Sequence, residues 1–208
     1  MRRTVTPPPS TRPLDRHCGP RGQELSAAKS RPYREPVLSR FRRLDPIRIR
    51  RAVDALRLPE AVFKTCPWQP RELVDTGLRQ WLRCCGAAMA DDQVIGMPSH
   101  AVDEAWHGLI LCTKRYRDFC DAAYGRFLHH FPEGDGYGGG SGVPMATQLG
   151  RTVVAWSLVA DPGGECVLWN LDVVVGVENP WGVSPDRVTE VETAVGEISA
   201  GARRRARR

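Results

Sequence analysis

Cysteine pairs at redox or zinc-ribbon spacing are missing from this 208-residue chain, which has seven cysteines and no C-x-x-C among them. They stand at 18, 66, 84, 85, 112, 120 and 166, an odd number placed mostly inside apolar patterns. That arrangement argues against a disulfide framework and for reduced, buried thiols in a cytoplasmic protein. Long apolar runs are also missing. No stretch reaches the roughly 18 residues of a membrane span, and the first arginines are followed by no apolar run, so neither a membrane-spanning segment nor a secretory signal is expected. The glycine run EGDGYGGGSG at 133–142 has no strand before it and no Gly-Lys-Ser/Thr after it. It reads as a loop, not as a phosphate cradle.

Residues 1–36 hold few aliphatic side chains among their prolines and arginines. With little apolar surface to bury, nothing offsets the entropy of ordering them, and a disordered arm over 1–43 is expected. Arginine- and proline-rich leaders are also what GC-rich upstream DNA encodes, so a true start at Val37 or Leu44 is a further expectation, open to amino-terminal peptide mapping.

The net charge of +6 is unevenly spread. Residues 1–51 carry 14 basic against 4 acidic side chains, residues 52–202 carry 11 against 20, and the last six residues add five arginines. An acidic body thus stands between two basic ends, the second being a tail over 201–208. Such ends can associate with nucleic acid through phosphates, but no reader motif accompanies them, and a solvated tail needs no partner. A protein partner stays open, and a membrane is not expected.

From Leu44 onward the periodicity is helical. Asp45 and Pro46 stand as N-cap and first helical residue ahead of Ile47, Ile49, Val53, Leu56 and Leu58. A break at Cys66-Pro67-Trp68-Gln69-Pro70 precedes a second helix whose apolar face is Leu73, Val74, Gly77, Leu78, Trp81, Leu82 and Cys85. Ser99 caps a third, with apolar positions at Val102, Trp106, Leu109, Ile110 and Thr113. The chain restarts at Cys112-Thr113 with Thr113 as the new cap, and Gly125 marks an end or bend. Residues 145–159 form another amphipathic helix, and a final one runs over 185–198. The valine-rich 166–177 is the one strand-like segment, although a short helix from Leu171 is the alternative. The expected fold is therefore mainly α: a single helical-bundle domain over 44–200, with a small β element in its C-terminal third and disordered basic termini.

Residues 98–132 hold four of the five histidines. His100, Asp103, His107 and Leu111 fall within roughly 80° of one another on a helix, and Leu111 implies that this stripe is partly covered. Asp103 and His107, four apart, can share one ion as two histidines do in H-E-x-x-H enzymes, with His130, or less readily His129, arriving from the next segment. His100 and His107 lie about 10 Å apart along a helix and cannot share an ion; Cys120 could join His107 only through a bend near Thr113, since a straight helix separates them by about 20 Å. A divalent metal such as zinc is the cofactor this implies. Two other readings stand beside it. Asp103 can simply accept a hydrogen bond from His107 in a structural pair, or orient His107 for metal-free acid–base chemistry. Cys112 and Cys120 carry no mark of an exposed thiolate nucleophile. Of the adjacent His129 and His130, one ring is expected inward and one outward.

The compound pattern Val102-Asp103-x-x-Trp106-His107, Thr113-x-x-Tyr116-x-x-Phe119-Cys120 and Gly125-Arg126-Phe127-Leu128-His129-His130-x-Pro132 resembles the glycine-rich domain-containing protein-like family of bacteria and, in longer form, plants. The resemblance covers about 44–182, with its specific part at 98–132. It implies no defined reaction. The plant relatives are linked to development and stress responses, but their long glycine-rich region has no counterpart here, so those roles are not carried over. Position by position, the motif singles out Asp103, Trp106, His107, Thr113, Tyr116, Phe119, Cys120, Gly125 and His130.

Overall fold

A computed structural model describes residues 44–64, 66–90, 92–130, 142–181 and 185–206. The expected arm over 1–43 and all but the last residue of the loop over 133–142 lie outside the described residues. The helices are α1 (Pro46–Ala55), α2 (Arg71–Ala90), α3 (His100–Leu111), α4 (Thr113–Ala123), α5 (Met145–Val159), α6 (Leu171–Val174) and α7 (Pro185–Ala206), with a 3-10 turn at Glu60–Phe63. The mainly helical class follows.

Local chemistry sets most of the boundaries. The Asp45 carboxylate accepts from the Ile47 amide, with Pro46 opening α1, and the Ser99 hydroxyl accepts from the Val102 amide at the start of α3. Each satisfies a donor that a helix start leaves unpaired. Two arginines from neighbouring elements close helix ends. Arg79 of α2 donates to the Val53 and Leu56 carbonyls after α1, and Arg48 of α1 donates to the Asp121 and Ala122 carbonyls at the end of α4. Gly125 then takes a positive φ of 68°. Its amide reaches the Cys120 and Asp121 carbonyls, the left-handed termination that glycine makes without steric penalty.

Helix α2 lies at the centre, against α1, α3 and α5, and buries Val74, Leu78, Trp81, Leu82, Cys84 and Cys85. Burial pushes the Cys84 and Cys85 thiols well up, so both behave as apolar core groups. The 3-10 turn approaches α3 so closely that a Cβ on Gly108 would come within 2.3 Å of the Val62 carbonyl oxygen. On the other side, the segment between α2 and α3 is tied to α5 by the Gly96 amide on the Gln148 carbonyl and by the Thr152 hydroxyl on the Gly96 carbonyl. Helix α7 packs on α5, burying Val191 and Ala194.

Two expectations need correction. The small β element over 166–177 is not formed: no strand occurs among the described residues, and the segment is a turn followed by α6. Leu168 and Leu171 are buried three residues apart while Val173 and Val174 are exposed, a helical spacing and not an alternation. The Gln80 side chain takes the place of a pairing strand, donating to the Glu165 carbonyl and accepting from the Val167 amide. Helix α7 also continues past Ile198 to Ala206, into the expected tail.

Candidate functional site

The site grows out of the exposed face of α3 and the extended residues after Gly125. Helix α3 ends at Leu111, and Cys112, one position before the expected Thr113, is the N-cap of α4, with Thr113 its first helical residue. The break turns α4 back against α3, and the Gly125 turn returns the chain toward α3 once more. Tyr116 fixes this return. Its buried hydroxyl donates to the Leu128 carbonyl at 2.7 Å and accepts from Trp106 Nε1 at 3.2 Å. Burial pushes the phenol well up, so it holds its proton and remains a donor. Arg126 anchors the same segment on the Met89 carbonyl and Asp92.

His130 is thereby delivered to α3. Its Nε2 lies 3.3 Å from Asp103 Oδ1, while His107 Nδ1 lies 3.3 Å from Asp103 Oδ2. The two imidazoles are 4.4 Å apart, centre to centre, and the Trp106 ring backs His130 at 4.8 Å. One donor atom from each of Asp103, His107 and His130 can be chosen so that all lie within 4.8 Å of one another. The carboxylate is the deep member at 14% exposure, His130 follows at 18%, and His107 is open at 47%. The cluster has a closed floor of Trp106 and an open side at His107.

The remaining sequence candidates separate from this group. His129 stacks on Phe127 at 5.0 Å and faces outward. Cys120 is buried, with its thiol pushed up by burial, and is not a member of the cluster despite the bend at Cys112. Phe119 packs edge-on to Tyr124, whose hydroxyl donates to the Leu82 carbonyl. Thr113 is exposed at the start of α4. Leu111 is 74% exposed, so the stripe it shares with His107 is not covered as expected. His107, four residues before it, is also exposed, whereas Gly108, three before it, is buried against Val62.

Two residues were missed. Glu104 follows Asp103 on α3, with Oε2 accepting from Trp68 Nε1 at 2.6 Å and Oε1 at 3.7 Å from His100 Nε2. Asp172 is buried at the other end of α3, where it accepts from the Ser99 hydroxyl and from the His100, Ala101 and Trp181 amides. A lone carboxylate inside the apolar run LDVVVGV was the available signal for Asp172.

Residues 57–134 match the sequence model of a family described as UCP032817-like, an uncharacterised family. The matched segment runs from the end of α1 past His130 and contains all three clustered donors. No curated protein and no solved structure matches the chain. Among the described residues, no helix is long and apolar enough to cross a membrane.

Proposed function

We propose that Asp103, His107 and His130 hold one divalent cation, zinc in the first place, and that the side open at His107 leaves a coordination position for water. The observation carrying this reading is the convergence of three donors from two separate segments. Each imidazole nitrogen stands 3.3 Å from a carboxylate oxygen. Bonds of about 2.0–2.1 Å in a tetrahedron put neighbouring ligand atoms roughly 3.3–3.4 Å apart. Each nitrogen meets its own Asp103 oxygen at that length, and one atom from each residue falls within 4.8 Å of the others, so an ion would draw the three donors slightly inward. Two histidines and one carboxylate with an open position is a donor set that supports water activation by a Lewis acid. The finer kinship with glycine-rich domain-containing proteins rests on the motif alone. A cytoplasmic setting fits the six described cysteines, all free, and a domain over 44–200 fits the helices that enclose the cluster.

A second reading draws on the same two distances, which also lie within hydrogen-bond reach. Asp103 then accepts from both rings, and the chain is a non-catalytic helical module for binding another protein. Elemental analysis separates the two readings. Full-length protein purified without chelator is expected to hold close to one equivalent of zinc, iron or manganese, lost in Asp103→Ala, His107→Ala and His130→Ala. Folded wild type that takes up none of these ions on incubation would overturn the metal reading.

A further inference from the structure

Between the two ligand positions on α3 stands a third polar residue, and the sequence there reads Asp103-Glu104-Ala105-Trp106-His107. This is the helical H-E-x-x-H arrangement with aspartate in place of the first histidine: two ligands four apart and a glutamate directly after the first. We infer that Glu104 is the general base acting on water at this site, and that the substrate class is a carboxylic ester or amide. The inference rests on the metal reading proposed for Asp103, His107 and His130.

The helix sets Glu104 on the flank of His107, and its neighbours hold one of its two oxygens. At 100° per residue, Glu104 lies roughly 60° from His107 around α3, and residues three apart are neighbours on a helix surface. Trp68 Nε1 grips Oε2 at 2.6 Å and fixes the carboxylate plane. Among the described residues, Oε1 has the 3.7 Å ionic approach of His100 Nε2, which is too long for a hydrogen bond and leaves lone pairs on that oxygen. His100 is itself held between Trp181, tilted against it at 5.0 Å, and Trp68, edge-on at 6.0 Å. One oxygen anchored and the other open is the arrangement of an oriented base.

The step balances without a further reactant. One O–H bond of the water breaks and its proton moves to Glu104 Oε1, while the oxygen bonds to the substrate carbonyl carbon and the C=O π pair moves onto the carbonyl oxygen, returning when the leaving group departs. The bond from that carbon to the leaving oxygen or nitrogen then breaks, and the proton held by Glu104 passes to the leaving atom.

Cobalt(II) and acetohydroxamic acid, which mimics an acyl group on the metal and needs a neighbouring carboxylate to take its proton, test the assignment on the full chain. Cobalt binding is read from the visible absorption, and hydroxamate binding from the change in that spectrum. The Glu104→Gln variant, which keeps an acceptor for Trp68, is expected to bind cobalt within about threefold of wild type and the hydroxamate about tenfold or more weakly, as for a lost charged hydrogen bond. His100→Asn, outside the ligand set, serves as the control and should leave cobalt affinity unchanged. Equal hydroxamate affinity in wild type and Glu104→Gln would overturn the role of Glu104, as would loss of cobalt in Glu104→Gln or a wild type that binds cobalt without the hydroxamate. Wild type that binds no cobalt would bring down the metal reading itself, and this inference with it.

Discussion

Two carboxylates serve α3, and they are solvated and partnered in opposite ways. Asp172, 1% exposed, meets the N-terminus of the helix and is saturated by one hydroxyl and three backbone amides. Asp103, on the helix itself, has two imidazole partners, one of them in contact with water. Amides cannot give up their protons and do not move, so the partners of Asp172 are fixed and its place at the helix start complements the dipole. Imidazoles can lose a proton or turn a lone pair toward an ion, so the surroundings of Asp103 permit chemistry. What surrounds a carboxylate, more than its burial, separates an acid with fixed partners from one whose partners can change.

The widest gap between them is expected in stability. Asp172→Ala strands four donors in the interior and should cost about 3–5 kcal/mol in urea unfolding. Asp103→Ala, measured in chelator, should stay within about 1 kcal/mol of wild type, because both imidazoles can turn to water. Equal costs would break the distinction. The contact between α3 and the 3-10 turn bears on both carboxylates, since it sets where the helix lies. Gly108→Ala pushes a methyl into the Val62 carbonyl, and a loss of about 3 kcal/mol by the same assay is expected, as neither backbone can yield cheaply. Tyr116→Phe sharpens the contrast from the Asp103 side alone. Loss of the hydroxyl between Trp106 and Leu128 should cost about 1 kcal/mol and weaken zinc binding about tenfold by loosening His130, with no change at the Asp172 end. Zinc titration against a competing chromophoric chelator reads that difference.

Much of this frame was legible in the chain. Asp45, Ser99 and Gly125 act within one turn of themselves, so the helix ends they set follow from local rules, and α5 spans the residues its periodicity marks. The failures share a cause of longer range. Valines at 173–175 favour a strand locally, but Gln80, more than eighty residues away, already satisfies the backbone at 165 and 167. Leu111 was read as a sign of cover because pattern cannot say that a helix presents a leucine to water. Of the site, Asp103 and His107 share one turn and were visible as a pair. The choice of His130 over His129 depends on the Tyr116 hydroxyl and the turn at Gly125, and the anchoring of Glu104 depends on Trp68 from before α2.

The three clustered donors also lie close together along the chain, with a sequence separation of 27 from Asp103 to His130. Bringing the ends of such a segment together costs on the order of 3 kcal/mol of chain entropy, and a contact this local forms early in a folding reaction. An ion seated there would act in time as well as in strength: by closing the α3–α4 hairpin before α5 and α7 arrive, it would hasten folding, with its signature in the refolding limb of a chevron plot.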